Sequence, residues 1–321
     1  MNGKIAVEEH FATAALEDLI SGVGWSPQDW RRVIDRLRDT ELRLAEMDRV
    51  GIQTAVLSLG SFGIQDVVDP AVAVTRAVEA NNALAAIVSD NPRRFAGFAA
   101  LPMQDPAAAA EELERTVSEF GFRGALVNGY SSLGNVETAV YYDDERYLPF
   151  WARVEQLGVP FYLHPRNPLP TQRRIYEGRS ELLGPTWAFA VETGTHALRL
   201  ITSGLFDRYP ELTVVLGHLG EFLPFALPRL QQRMSHLPQV RLEKPATQYL
   251  RDNFYITTSG NCHTASLIGV LLELGADRLL FAADYPFEEM GDGAAWFDNV
   301  PISESDRLKI GRTNAQKLFA L

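Results

Sequence analysis

Four apolar, strand-like runs in this 321-residue chain end on side chains that can bind a metal ion or move a proton. KIAVEEH ends on Glu8, Glu9 and His10, VPFYLHP carries His164, LTVVLGH ends on His218, and RLLFAADYP carries Asp284. A strand ending in His or Asp delivers that group to the rim of a sheet. Four such strands spread over the chain read as ligands converging on one site. Glu8 and His10 share a strand face because side chains alternate with period two. Glu9 points the other way, toward a partner outside the sheet. Imidazoles and carboxylates together suit zinc, manganese or a related divalent ion. Glu221 follows His218 by three residues in LGHLGE. A carboxylate there can bond the imidazole, fix its tautomer and raise its basicity. Asp284 follows an apolar run, where a carboxylate is costly to bury unless paired or metal-bound. It can serve as ligand, proton acceptor or proton donor. Singly, His164 also reads as a core histidine, His218 and Glu221 as a structural His with a capping Glu, and Asp284 as a turn residue.

The elements that must position these groups recur regularly. Apolar runs at residues 4–10, 54–59, 95–101, 124–129, 160–165, 212–218, 254–260 and 278–286 predict eight strands. Several are continuously apolar, as strands buried on both faces are. Helical spacing at 40–50, 70–90, 106–119, 145–157, 198–209, 264–274 and 303–319 falls between them. Asp105-Pro106 supplies an N-cap with Pro at the first helical position. Alternation of strand and helix predicts a parallel sheet with crossover helices. Eight units predict an α/β fold closed as a (β/α)8 TIM-type barrel, whose active site lies at the C-terminal strand ends. An open doubly wound sheet wants a Gly-rich phosphate turn after its first strand; Glu8-Glu9-His10 stands there instead. Segments 11–35, 130–144 and 166–195 are long, follow strands, and predict lids or binding loops on the site face. The whole chain, 1–321, is read as one domain.

Composition narrows the function. Hydrophobic residues make up 46% of the chain, enough for a large core. A net charge of −11 with no Lys/Arg run argues against nucleic acid as a partner. The single cysteine, Cys262, excludes an intrachain disulfide framework. No secretory leader is visible, and no run nears the roughly 20 apolar residues that span a bilayer. The expectation is a cytoplasmic protein without a membrane partner. His196 lies in a helical run and reads as supporting or structural; His236 and His263 read as surface or rim residues. Phe11, Trp187, Phe189, Tyr285 and Phe287 cluster near the predicted rim, where a flat substrate would want some of them.

The segments GKIAVEEHF, GFRGALVNGY, VPFYLHPRNPLP, LLGPTWAFA, HALRLITSGLFDRYP, VVLGHLGEFLP, ITTSGN, FAADYPFE and IGRTNAQKLF extend nearly end to end. In this order they resemble the amidohydrolase-related decarboxylases, which include the aminocarboxymuconate-semialdehyde decarboxylases. Within that family the chain is most similar to the γ-resorcylate (2,6-dihydroxybenzoate) branch. The resemblance implies that Glu8, His10, His164 and Asp284 hold one divalent metal ion, zinc or manganese, with no organic cofactor. It implies that Asp284, His218 and Glu221 are the catalytic groups. Phe11, Asn128, Trp187, Phe189, Arg229 and Phe287 are the expected substrate-binding residues. Asn128 stands where binuclear members of the wider superfamily have a bridging Lys, which implies a mononuclear site. The implied reaction is non-oxidative, reversible decarboxylation of an ortho-hydroxybenzoate, most similar to 2,6-dihydroxybenzoate giving resorcinol. The same ligands would also serve a mononuclear lactone or amide hydrolase, or a decarboxylase of 2,3-dihydroxybenzoate or salicylate. The implied partners are a small aromatic carboxylic acid and further copies of the chain, as a dimer or tetramer.

Overall fold

A computed structural model describes residues 1–22 and 25–321. Val23 and Gly24, within the first long segment, lie outside the described residues. Each predicted strand is found, most with trimmed ends. In chain order they are β1 (Lys4–Phe11), β2 (Ile52–Leu59), β3 (Phe95–Gly97), β4 (Ala125–Asn128), β5 (Phe161–His164), β6 (Val214–Leu216), β7 (Phe254–Thr257) and β8 (Leu279–Leu280). All pair in parallel, β1-β2-β3 in one run and β4-β5-β6-β7-β8 in the other. Two junctions close the ring. Ala99 N donates to Gly124 O at 2.8 Å and Leu126 N to Ala99 O at 3.0 Å, joining the β3 end to β4. His10 N donates to Tyr285 O at 2.7 Å and Asp284 N to Glu8 O at 3.1 Å, joining β1 to the chain beyond β8. The result is the expected (β/α)8 barrel.

A register shift between Ala6 and Glu9 marks a bulge in β1. Bulges re-aim side chains beside active sites. Below it, Ile5 and Val7 join Val56, Phe98, Leu126, Tyr162, Val215 and Leu280 in the barrel interior, plugged by Ala315 and Phe319. Above it the interior turns polar: Glu8 and His10 face inward, beside Tyr162 and Ser58. The larger apolar cluster lies between strands and helices.

Helices Thr40–Val50, Pro70–Asp90 and Thr264–Leu274 match the sequence expectation residue for residue. Pro70–Asp90 is long and apolar enough, by length and composition, to cross a bilayer. It instead buries Ala73, Ala77, Ala80 and Leu84. Predicted 198–209 begins ten residues earlier, as Ala188–Thr202, and is followed by Leu205–Arg208. Its Thr193, Gly194 and Thr195 are weak helix formers, but packing of a buried face overrides propensity. Predicted 303–319 is interrupted by a π-turn at Lys309–Thr313. Helices Pro27–Arg38, Ala246–Asn253 and Met290–Asn299 have no counterpart in the expected set, whereas Leu223–Met234 begins two residues after Glu221, where a capping Glu puts a helix start. Gly291 and Gly293 disguise the last of the unexpected three. The first carries a legible start, Ser26-Pro27, whose Ser26 hydroxyl accepts from Asp29 N at 3.1 Å. Segment 130–144 is mostly a hairpin of Ser131–Leu133 and Asn135–Val140.

Candidate metal centre

Glu8, His10, His164 and Asp284 converge at the C-terminal mouth of the barrel, each offering a ligand atom within 4.8 Å of the others. Each imidazole has its Nδ1 engaged and its Nε2 turned to the centre. His10 Nδ1 lies 3.1 Å from Ser58 Oγ. His164 Nδ1 donates to Asn128 Oδ1 at 2.7 Å, with Ser61 Oγ 3.1 Å away. Ser61 Oγ itself donates to Asn128 Oδ1 at 3.0 Å. Glu8 accepts on Oε2 from the Tyr162 hydroxyl and from Thr257 Oγ1. Its Oε1 has no hydrogen-bond partner among the described residues, and neither has His10 Nε2.

These two orphaned buried atoms test whether a cation fits. His164 Nε2 lies 3.3 Å from Glu8 Oε1, and His10 Nε2 lies 3.4 Å from Asp284 Oδ1. Zinc–ligand bonds of about 2.0–2.2 Å at near-tetrahedral angles hold neighbouring donors about 3.3–3.6 Å apart. The donor set therefore fits one divalent ion. Burial lowers the His10 pKa, which keeps the ring in the neutral form that ligates. Burial opposes ionisation of Glu8, but His218, His164 and His10 outweigh it and hold the carboxyl well below its usual range. Gly217 leaves room here: a Cβ on it would stand 3.1 Å from both Glu8 Oε2 and Ser259 Oγ, and would press on the carboxylate.

His218 reaches the same centre differently. β6 ends at Leu216, and His218, Leu219, Gly220, Glu221 and Phe222 follow with φ of 50, 57, 84, 52 and 65°. This is one turn of left-handed backbone, which costs non-glycine residues roughly 1–2 kcal/mol each. It brings His218 Nδ1 to 2.7 Å from Glu221 Oε1. His218 Nε2 then faces Glu8 Oε1 at 3.8 Å and Asp284 Oδ2 at 3.6 Å. Burial alone would lower the His218 pKa, yet Glu221, Glu8 and Asp284 raise it well above the imidazole range. Asp284 also has left-handed backbone, φ 65°. Its carboxyl is held low, against its burial, by His10 and His218. A pocket opens above, walled by Trp25, Phe62, Pro185, Phe189 and Phe287 and by the polar Ser21, Ser61, His164, His218, Asp284 and Glu288.

The family model described as Amidohydrolase matches residues 11–321. The chain belongs to the amidohydrolase family. A γ-resorcylate decarboxylase of Rhodococcus jostii is 52% identical to this amidohydrolase over 329 residues, covering 100% of this chain and 99% of the relative. The crystal structure of a 2,6-dihydroxybenzoate decarboxylase complexed with 2,6-dihydroxybenzoate superposes with a TM-score of 0.97 at 49% identity, covering 100% of both chains. A dihydroxybenzoic acid decarboxylase from a Polaromonas species, solved with bound manganese and the inhibitor 2-nitroresorcinol, superposes with a TM-score of 0.96 at 51% identity, covering 100% of this chain and 98% of the other.

The amidohydrolase brings some expected substrate residues to the pocket and not others. Phe189 and Phe287 line it. Asn128 sits behind His164 as its hydrogen-bond acceptor. Phe11 is 2% exposed and belongs to the core. Trp187 is 47% exposed, lies with its ring centroid 5.1 Å from that of Phe222 at a 35° tilt, and is not among the wall residues. Arg229 is exposed on helix Leu223–Met234, also outside the wall, so within one chain it is corrected from a pocket residue to a surface one. His196 is buried and accepts from Tyr142 N at 3.1 Å. His236 and His263 are exposed, and His263 caps helix Thr264–Leu274. Ser58, Ser61, Tyr162 and Thr257 hydrogen-bond His10, His164 and Glu8 in this cluster, and the sequence reading gives none of them. Period-two counting back from His164 could have found Tyr162, because it shares the inward face of β5.

Proposed function

We propose that this amidohydrolase is a metal-dependent, non-oxidative decarboxylase of ortho-hydroxybenzoates, acting on 2,6-dihydroxybenzoate to give resorcinol and carbon dioxide. The position of Asp284 carries the reading: Oδ1 faces the ligand His10 at 3.4 Å, and Oδ2 faces His218 at 3.6 Å on the pocket side. Glu8, His10, His164 and Asp284 would hold the ion, manganese or zinc. The chemistry such an ion supplies when bound is Lewis acidity toward a carboxylate and its ortho oxygen, which fixes the ring and favours the phenolate. Phe62, Phe189 and Phe287 clamp a flat ring and limit its water. Asp284 Oδ2, ionised at rest, takes a proton from His218 Nε2, 3.6 Å away, and passes it to the ring carbon that bears the carboxylate. The electron pair of the C–C bond returns to the ring as carbon dioxide leaves. His218, kept in one tautomer by Glu221, holds the phenolic proton and balances the charge that develops. No oxidant enters, so the reverse carboxylation runs at high bicarbonate.

Mass spectrometry of products from manganese-loaded protein tests this with 2,6-dihydroxybenzoate, 2,3-dihydroxybenzoate and salicylate. Resorcinol as the fastest product is the expected result. Unchanged substrates across the panel would overturn the assignment.

We infer further that the chain self-associates. The ring pair Trp187 and Phe222, with Phe225 at 57% exposure, forms an exposed apolar patch that supports this. A monomeric mass by light scattering would sink it.

A further inference from the structure

Outside the barrel, against the outward face of β1, lie two buried ionisable side chains that the chemistry above does not use. Glu9 is 0% exposed and Arg43, on helix Thr40–Val50, is 2% exposed. Burying two such groups is costly, and a fold that keeps them wants them for something. Each has one arm on the backbone of the metal site. Arg43 Nη2 donates to the carbonyl of His10. Glu9 Oε1 accepts from Ala283 N at 2.9 Å. The second contact is needed because β8 pairs as a ladder over only Leu279–Leu280. At Ala283 the Glu9 carboxylate supplies an acceptor in place of a neighbouring strand's carbonyl. The next residue is Asp284, held at φ 65°. Arg43 also lies over the Tyr285 ring, 4.6 Å from its centroid, and Tyr285 O accepts from His10 N at 2.7 Å. The pair thus grips the chain on both sides of the His10–Asp284 contact from outside the barrel.

We propose that Glu9 and Arg43 are positioning residues that set the affinity of the metal site by fixing the backbones of His10 and Asp284. The inference rests on the four-ligand site described above. Residues that orient ligands typically change metal affinity or activity by about 10–100-fold when lost. Here the grip is on main chain rather than on imidazole nitrogen, so it governs where the ligand atoms stand.

The test uses the full chain, stripped with chelator and titrated with Mn(II), with free Mn(II) read by electron paramagnetic resonance. Glu9→Gln keeps an oxygen for Ala283 N but puts an amide NH2 where the buried, unpartnered Oε2 stands; the Mn(II) Kd should rise about tenfold. Glu9→Ala removes the acceptor, and the rise should approach a hundredfold. Arg43→Lys should resemble Glu9→Gln. A structural role alone lowers the Tm of stripped and loaded protein equally. Positioning shrinks the gap between them and alters the spectrum of bound Mn(II). Kd values within twofold of the parent for Glu9→Gln and Arg43→Lys would overturn the proposal. Glu9→Gln, which is isosteric, decides alone if Arg43→Lys does not accumulate. A parent chain that binds no Mn(II) would instead overturn the metal site itself.

Discussion

His10 and His164 stand on regular strands, whereas His218 and Asp284 stand on left-handed backbone beyond strand ends. The first pair is sealed, with side chains 0% and 6% exposed. The second pair is more open to the pocket, at 24% and 13%, although His164 also touches its wall. Strand geometry explains the first pair: a parallel ladder fixes the Cα, and Ser58 or Asn128 fixes the ring. It cannot explain the second, because a strand end points its side chain into the barrel and not up toward a substrate. Left-handed residues lift His218 and Asp284 over the rim. Such strain persists at sites where the surroundings over-determine it. On the proposed function, the contrast separates holding from proton handling: the groups proposed only to hold the ion sit on the ladder, and those proposed also to meet the ring sit on the strained turns.

The sharpest way to break that division is Asp284→Asn. It keeps one ligand oxygen and removes the proton, so turnover should fall by roughly 10²–10⁴ while manganese is partly retained. Single-turnover kinetics and metal analysis on the same sample would check it. Substantial remaining activity would return Asp284 to the holding class. His164→Ala should do the reverse. It removes one of four ligands, so manganese content after dialysis should drop to a small fraction of the parent's, with activity lost in proportion and recovered at high Mn(II). Glu221→Gln should act on the proton side alone, lowering kcat by about 10–100-fold with Mn(II) affinity little changed. A parallel loss of metal would show that His218 also ligates.

The same division decided what the sequence revealed. The eight strands were legible because continuous apolar runs leave few alternatives for a buried parallel strand. Glu8 and His10 were legible as sharing one face because a strand has a period of two, and His164 as the end of an apolar strand; that Glu8 and His10 face inward depends on the bulge. The left-handed turn was not, since Leu219, Glu221 and Phe222 carry no local preference for positive φ; only Gly217 and Gly220 hinted at a tight approach. Ser58, Ser61 and Thr257 escaped because short hydroxyl residues occur everywhere, and only the closed barrel shows which of them meets an imidazole or a carboxylate. Glu9 was read correctly as pointing outward. Its burial could not be read, because that depends on helix Thr40–Val50 bringing Arg43 and on the bulge that reverses the faces of β1.

The smallest expected effect tests whether the two strained residues are held by what surrounds them. Gly260 has φ +57°, and a Cβ there would stand 3.1 Å from His218 Cδ2 and 3.2 Å from Asp284 Oδ2. Contacts that short force a neighbour to shift by a few tenths of an ångström. The neighbours are the two groups assigned to proton handling, while His10 and His164 lie on other strands, β1 and β5. Gly260→Ala should therefore lower kcat by about fivefold to tenfold, in keeping with the sensitivity of reacting groups to small misplacement. Backbone strain should cost roughly 1 kcal/mol of stability. Mn(II) affinity should fall less than kcat, because Asp284 Oδ1 remains turned to the ion while Oδ2 is displaced. Steady-state kinetics beside a Mn(II) titration would read both quantities. An equal loss in each would mean that the left-handed turn and the ligand cage move as one body, and the division between holding and proton handling would not survive.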